Sequence, residues 1–250
     1  MLIDAHCHIN SLSEIQKEEL VAKSESGYIF IDISIDFESA VQSIALSQEC
    51  NNIYTSLGFH PINGGKFCNE VVEKYISFIK DNKKVVALGE VGLDYKSTLG
   101  FKDQEGLLLK FTQLSREYNL PLIIHNRWQN NLIFDILNKH FSSFRNIIFH
   151  CFSQDKEFLS KVVERRGYAS FSLNILRNQK KIIESLQMVP LDNLLLETDS
   201  PYMKINGRYS SPLDIERVYH FVAKTKKLTF PKLSKIICFN TERVFGIKIG

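Results

Sequence analysis

Five apolar runs, far apart along the chain, each end in side chains able to bind a metal ion. IDAHCH carries His6 and His8, VVALGE ends in Glu90, PLIIH in His125, NIIFH in His150 and LLLETD in Asp199. No other feature constrains the fold as strongly. Each run has the character of a buried strand, and each releases a polar group as it leaves the core, because burying such a group alone is costly. In a closed parallel barrel, strand ends that are distant in sequence converge on one mouth. An open doubly wound sheet would spread them out and would place its ligand at a single switch point, often over a Gly-rich phosphate loop. The chain has no GxGxxG or Walker sequence. Imidazoles and carboxylates meeting at one mouth are the donor set of a divalent-metal site.

The rest of the pattern agrees with a barrel. Apolar, β-branched runs predict strands over Leu2–His6, Tyr28–Ser34, Ile53–Phe59, Val85–Val91, Leu122–His125, Ile147–His150, Tyr168–Leu173 and Leu194–Thr198. Amphipathic segments between them predict helices over Ser13–Ser24, Glu38–Cys50, Glu70–Asn82, Asp103–Tyr118, Asn130–His140, Lys156–Arg166 and Leu176–Leu186. Two more follow the last strand, Leu213–Lys226 and Lys232–Phe245. Alternating βα units imply a parallel sheet with right-handed crossovers. Pro121 and Pro190 stop the helices ahead of LIIH and LLLETD, and Gly167 after ERR reads as a helix C-cap. The expectation is an α/β fold, a (β/α)8 TIM barrel. It forms one domain over residues 1–250 with an additional C-terminal helix, a usual size for this architecture.

Composition narrows the function classes. The chain is 44% hydrophobic and 24% charged, which suits a globular domain with a sizeable core. No apolar stretch is long enough to span a membrane. The start, MLIDAHCH, reads as a strand and not as a secretory signal, so a cytoplasmic location is expected. Five cysteines, with no CxxC pair, argue against a disulfide framework or a structural zinc knuckle. A net charge of +3 neither diagnoses nor opposes nucleic-acid binding.

On a strand, residues two apart point the same way, so His6 and His8 can serve one metal while Cys7 faces away. The same rule assigns Cys151, beside His150, to packing. Asp4 and Glu197 share strand faces with their neighbouring ligands and are read as supporting partners, with structural ion pairing as the competing role. A carboxylate following VVALG must be paired, hydrated or metal-bound, and Glu90 can offer one oxygen to each of two cations. His60, in GFHP, is a candidate for phosphate binding or proton transfer, and Arg127 is a candidate phosphate fork. Trp128, Phe152 and Tyr202 lie near proposed ligands, where aromatics can stack on bases, although helix or loop packing is the favoured role for each alone. No GxSxG elbow is present, and the KTKK run at Lys224–Lys227 reads as the cap of a solvated helix.

Taken in order, IDAHCH, LGFHP, ALGEVGLDY, PLIIHNR, FHCFS, LLLETDSPY and NTERVFG resemble the TatD family of metal-dependent deoxyribonucleases, within the amidohydrolase-like barrels. The resemblance runs nearly end to end. It implies two divalent ions (Mg2+, Zn2+ or Mn2+), one on His6, His8, Glu90 and Asp199 and one on Glu90, His125 and His150. It further implies hydrolysis of DNA from 3′ ends, in the 3′–5′ sense, with single strands favoured. Glu90, Asp199 and His60 would be catalytic, with His60 and Arg127 on the substrate. The chain departs from the family at GRYSSP (Gly207–Pro212) and at KSTLGFKDQEG after GLDY, both loops that would shape substrate access. Two other readings compete. One is the same site acting on another ester or amide, such as an aminoacyl-tRNA ester or a lactone. The other is a nucleic-acid- or metal-binding module without turnover.

Overall fold

A computed structural model describes residues 1–24, 27–128, 131–205 and 207–249. Eight parallel strands, β1 (Leu2–Cys7), β2 (Tyr28–Ile33), β3 (Ile53–Leu57), β4 (Val85–Leu93), β5 (Leu122–Asn126), β6 (Ile147–Phe149), β7 (Tyr168–Phe171) and β8 (Leu194–Leu196), lie side by side in chain order. Helices α1 (Glu14–Ser24), α2 (Phe37–Glu49), α3 (Asn69–Asp81), α4 (Phe101–Tyr118), α5 (Leu132–Leu137), α6 (Lys156–Glu164) and α7 (Lys180–Met188) cross over between successive strands. Two helices follow β8, α8 (Ile215–Lys226) and the additional α9 (Phe230–Phe245). This is the (β/α)8 barrel, nearly closed.

Side chains and loop backbone close the gap between β8 and β1. Thr198 donates to Asp4 through its backbone N–H (2.9 Å) and its hydroxyl (2.5 Å), Asp199 N–H donates to the His6 carbonyl (3.0 Å), and His8 N–H to that of Ser200 (2.8 Å). Asp4 is therefore the structural stitch between the first and last strands, and it touches the backbone of His6 and not its ring. Strand interiors such as Ile123, Ile124, Leu195 and Leu196 are buried and join one core with the inward faces of the helices. A second cluster, with Cys7, Leu20, Phe30 and Cys50, lies outside the barrel wall, so Cys7 does face away from the mouth.

Element ends follow local chemistry. Asp36 and Ser39 form a capping box on α2, Asp155 accepts the Phe158 N–H at the start of α6, and Thr229 with Pro231 opens α9. Three expectations shift. The helix expected over Asn130–His140 is only α5; Asn130 itself lies outside the described residues. The helix expected from Leu176 begins at Lys180, because Asn178 adopts a left-handed φ of 52° and separates a 3-10 turn (Leu173–Arg177) from α7. After α6 the left-handed residue is Arg166 (φ 67°), not Gly167. Gly167 is required for a different reason: a Cβ there would meet Val162 Cγ1 at 2.8 Å. Lys227 caps α8 in the left-handed region, and Lys226 Nζ reaches back to the Gln187 carbonyl at 2.9 Å. Among the described residues no helix is long and apolar enough to cross a membrane, and all five cysteines are free.

Candidate metal centre

Two register slips shape the mouth. Along β1, Asp4 pairs with Phe30 but Cys7 pairs with Asp32, so one extra residue is taken up around His6. Along β4, Leu88 pairs with Leu122 but Val91 with Ile124, which takes up one extra residue at Gly89 and Glu90. Such slips re-aim side chains at strand ends. Gly89 adopts a φ of 104°, and a Cβ there would collide with the Ile123 carbonyl, so only glycine fits beside Glu90. Asp199, beyond β8, sits at a φ of 55°, an uncommon conformation for a residue with a side chain.

These elements bring all six expected ligands together. His6, His8, Glu90, His125, His150 and Asp199 are all buried at one end of the barrel. Glu90 is the centre. Its Oε1 lies 2.5 Å from His125 Nδ1 and 2.7 Å from His150 Nε2. Its Oε2 lies 3.4 Å from His6 Nε2 and 3.8 Å from His8 Nε2. Asp199 Oδ1 completes the second set, 3.5 Å from His8 Nε2 and 3.9 Å from His6 Nε2. Ligand atoms of His6, His8 and Asp199 lie within 4.8 Å of one another, as do those of His6, Glu90 and His150, and those of His60, Glu90 and His125.

The donor chemistry fits cations. His8 Nδ1 sits 3.0 Å from the Ile33 carbonyl, an acceptor only, so the ring proton belongs at Nδ1 and the Nε2 lone pair faces inward. His125 Nε2 sits 3.1 Å from Asp94 Oδ2, which in the same way leaves the Nδ1 lone pair aimed at Glu90. His6 and His8 Nε2 are 3.2 Å apart, and His125 Nδ1 and His150 Nε2 are also 3.2 Å apart. Buried nitrogen lone pairs this close repel unless a cation or a proton lies between them. Imidazole with carboxylate is the donor set of zinc, manganese or iron.

His60 differs from the other histidines. Its Nδ1 accepts the Ile62 N–H at 3.1 Å, so the neutral ring carries its proton on Nε2, 3.5 Å from Glu90 Oε1. Burial lowers its pKa to about 4, with His125 and His150 reinforcing the shift and Glu90 opposing it. It presents an N–H donor to the site, not a lone pair. Burial would push the Glu90 carboxyl up, but His150, His60 and His125 hold it well below the usual range. Asp199 is likewise held low against its burial, by His8, whose Nε2 lies 3.5 Å away, and by the nearby His150 and His6.

The centre floors a cavity of about 520 Å³, a usual size for a small-molecule site, whose walls include Ile35, Asn126, Arg127, Cys151, Asn174, Arg177 and Tyr202. Arg127 is half exposed, with Nη1 3.6 Å from Asp94 Oδ2. Tyr202 is half exposed and meets the His8 ring edge-on at 4.8 Å. Phe152 is packed into the core against Phe171, and Trp128 packs on Phe101 away from the cavity. Glu197 reaches His150 Nδ1 at 3.5 Å and accepts the Cys151 N–H at 2.7 Å.

One expectation is overturned. Cys151 lines the cavity, because β6 ends at Phe149 and Cys151 takes a φ of 41°, which breaks strand alternation. Sequence reasoning also missed Asp94. The signal was a second carboxylate four residues after Glu90, directly following an apolar strand. Arg177 had no comparable signal.

The sequence model of the family described as TatD related DNase matches residues 3–246. A metal-dependent hydrolase of Bacillus subtilis, YabD, is 30% identical over 99% of this chain and 100% of its own length. A metal-dependent hydrolase of Methanocaldococcus jannaschii, MJ1582, is 32% identical over 97% of this chain and 96% of its own. The crystal structure of YJJV, a TatD homologue from Escherichia coli, superposes with a TM-score of 0.88 at 25% identity, covering 99% of this chain and 98% of that one.

Proposed function

Because this chain belongs to the TatD-related DNase family and is a metal-dependent hydrolase, we propose that it hydrolyses phosphodiester bonds of DNA, releasing nucleotides from the 3′ ends of single strands. The observation that carries this reading is Glu90, which turns one carboxylate oxygen toward His125 and His150 and the other toward His6 and His8. Such a group suits two cations side by side, the arrangement that clamps both the attacking and the leaving oxygens of a phosphoryl centre. His6, His8, Glu90 and Asp199 would hold one ion, and Glu90, His125 and His150 the other. When bound, zinc, manganese or magnesium supplies Lewis acidity toward phosphoryl oxygens and a water of lowered pKa.

The protein's own groups do the rest. Asp199, ionised because His8 and the charges of His150 and His6 hold its pKa down, takes the proton of the attacking water on its carboxylate. His60 Nε2–H donates to a phosphoryl oxygen as negative charge grows there. Being neutral above about pH 4, it needs no proton from solvent to do so. Arg127, anchored loosely on Asp94, presents its guanidinium to the same phosphate. Tyr202, half exposed beside His8, offers a ring face to the terminal base.

The test is a metal titration with 3′-labelled and 5′-labelled single-stranded oligonucleotides. The expected result is metal-dependent release of labelled mononucleotide from the 3′-labelled strand and stepwise shortening of the 5′-labelled one. Release of mononucleotide first from the 5′ end would reverse the polarity. Faster turnover of an aminoacyl ester or a lactone than of either strand would overturn the substrate class, and binding without turnover would leave only a binding module.

A further inference from the structure

The cavity holds a second guanidinium that the hydrolysis described above does not use. Arg177 ends the 3-10 turn after β7 and lines the same cavity as His150 and Asp199. The turn is held from several sides. Ser172 Oγ accepts the Asn174 N–H at 3.3 Å, Asn174 Nδ2 donates to the Phe152 carbonyl at 3.4 Å, and Asn178 closes the turn in the left-handed region. Among the described residues Arg177 has one polar contact, Nη2 to the Met203 sulfur at 3.9 Å. Met203 in turn donates its N–H to the Asp199 carbonyl at 3.2 Å, so the guanidinium rests on the segment that carries Asp199.

Three other arginines are paired or hydrogen-bonded. Arg208 makes a two-pronged pair with Asp214, Arg243 bonds Tyr168, and Arg127 leans on Asp94. Arg177 has no carboxylate partner among the described residues. A planar cation without a counter-charge, in the wall of an anion-processing cavity, fits a phosphate. Gln179 also lines the cavity. Asn174, 5% exposed, also lines the cavity, and its buried amide oxygen has no hydrogen-bond partner among the described residues.

Topology sets the spacing. Strands β5, β6 and β7 are neighbours, so Arg127 and Arg177 stand on either side of the strand that delivers His150. A scissile phosphate over Glu90 and His150 therefore has one guanidinium on each flank. We infer that Arg177 binds the phosphate next to the scissile one, on its 5′ side, and makes the enzyme prefer a chain with at least two phosphates over an isolated diester. This rests on the phosphodiesterase reading.

The test compares wild type, Arg177→Gln and Arg177→Lys on three substrates. One is bis(p-nitrophenyl) phosphate, which has no flanking phosphate. The second is a 3′-labelled single-stranded oligonucleotide. The third is the same strand with a neutral methylphosphonate at the penultimate linkage. Loss of one charge-assisted contact in a half-open site predicts about a tenfold fall in kcat/KM on the natural strand for R177Q, carried mainly by KM. Turnover of the small diester should stay within about twofold of wild type, and R177K should recover part of the loss. The methylphosphonate should impose a similar fall on wild type and none further on R177Q. Fluorescence polarisation of the labelled strand in chelator reads binding without turnover. There R177Q should bind more weakly, with a salt slope shallower by about 0.7. Equal losses on both the small diester and the strand, or no change on the strand, would overturn the inference. A wild-type enzyme that cleaves neither substrate defeats the hydrolysis reading, and the polarisation arm still judges Arg177. A wild type that does not bind the strand ends both.

Discussion

Asp94 offers the sharpest test of how the centre is held. It is fully buried after β4, with Oδ2 3.1 Å from His125 Nε2 and Oδ1 accepting the Lys96 N–H at 2.8 Å. Its backbone is clamped by Gln104, which accepts the Asp94 N–H (2.8 Å) and donates to its carbonyl (3.1 Å). Burial alone would raise its pKa, but the His125 hydrogen bond and the Lys96 N–H lower it to about 2. Asp94 is thus ionised at neutral pH, keeps the His125 proton on Nε2, and leaves the Nδ1 lone pair for a cation. Asp94→Asn preserves an acceptor but loses the charge. Charge-assisted and neutral hydrogen bonds differ by about 1 kcal/mol, so metal affinity should fall about fivefold. Asp94→Ala leaves a buried N–H unpaired and the ring free to change tautomer. Supporting partners of this kind are worth roughly 10–100-fold in metal affinity, or about 1.4–2.7 kcal/mol. Calorimetric titration of chelator-stripped protein with Zn2+ or Mn2+ measures both, with circular dichroism as the check that each variant is folded. Wild-type affinity in a folded D94A protein, or a D94N variant weaker than D94A, would refute the tautomer argument.

Three further outcomes are expected. Glu90→Gln and Asp199→Asn keep shape but lose a buried charge facing the imidazoles, so each should cut turnover by about 10²–10⁴-fold, Glu90→Gln with loss of bound metal as well. Near-normal rates in either variant, measured on the 3′-labelled strand, would dismiss the assigned roles. A Cβ at position 58 would sit closer than 3.0 Å to backbone atoms of Ser34, Gly89 and Glu90, none of which can swing aside. Gly58→Ala should therefore cost about 3 kcal/mol, read from the urea unfolding midpoint, and an unchanged midpoint would show that the barrel end gives way more easily than its packing implies. The His60 pKa is lowered from 6.5 to about 4 in the folded protein. A depressed pKa means its contribution to stability is complete above 6.5 and is lost as pH falls toward 4, by up to roughly 3 kcal/mol. Unfolding curves of metal-stripped protein across that window should show the decline, and His60→Gln should flatten it; an equal slope in both proteins would contradict the assignment.

Much of this molecule was legible in the chain because the relevant signals are local. Burial on both faces makes a parallel strand an unbroken apolar run, and amphipathic helices keep their period whatever they pack against, so all eight strands begin where the runs predict, with β1, β4 and β5 continuing one or two residues further. Ionisable groups at the ends of those runs had to point out of the core, which marked His6, His8, Glu90, His125, His150 and Asp199 as candidates before any geometry was known. Local signals failed where the backbone left regular geometry: Cys151 and Asn178 in left-handed conformations, and Arg166 taking the role expected of Gly167. What only the tertiary structure decided is which groups meet. The one-residue slips in β1 and β4, the side-chain closure between Asp4 and Thr198, the hydrogen bond from His125 to Asp94 and the placement of Arg177 over Met203 all join residues far apart in sequence. Periodicity reports the face a residue takes on its own element, whereas a partner across the barrel is chosen by closure of the whole ring.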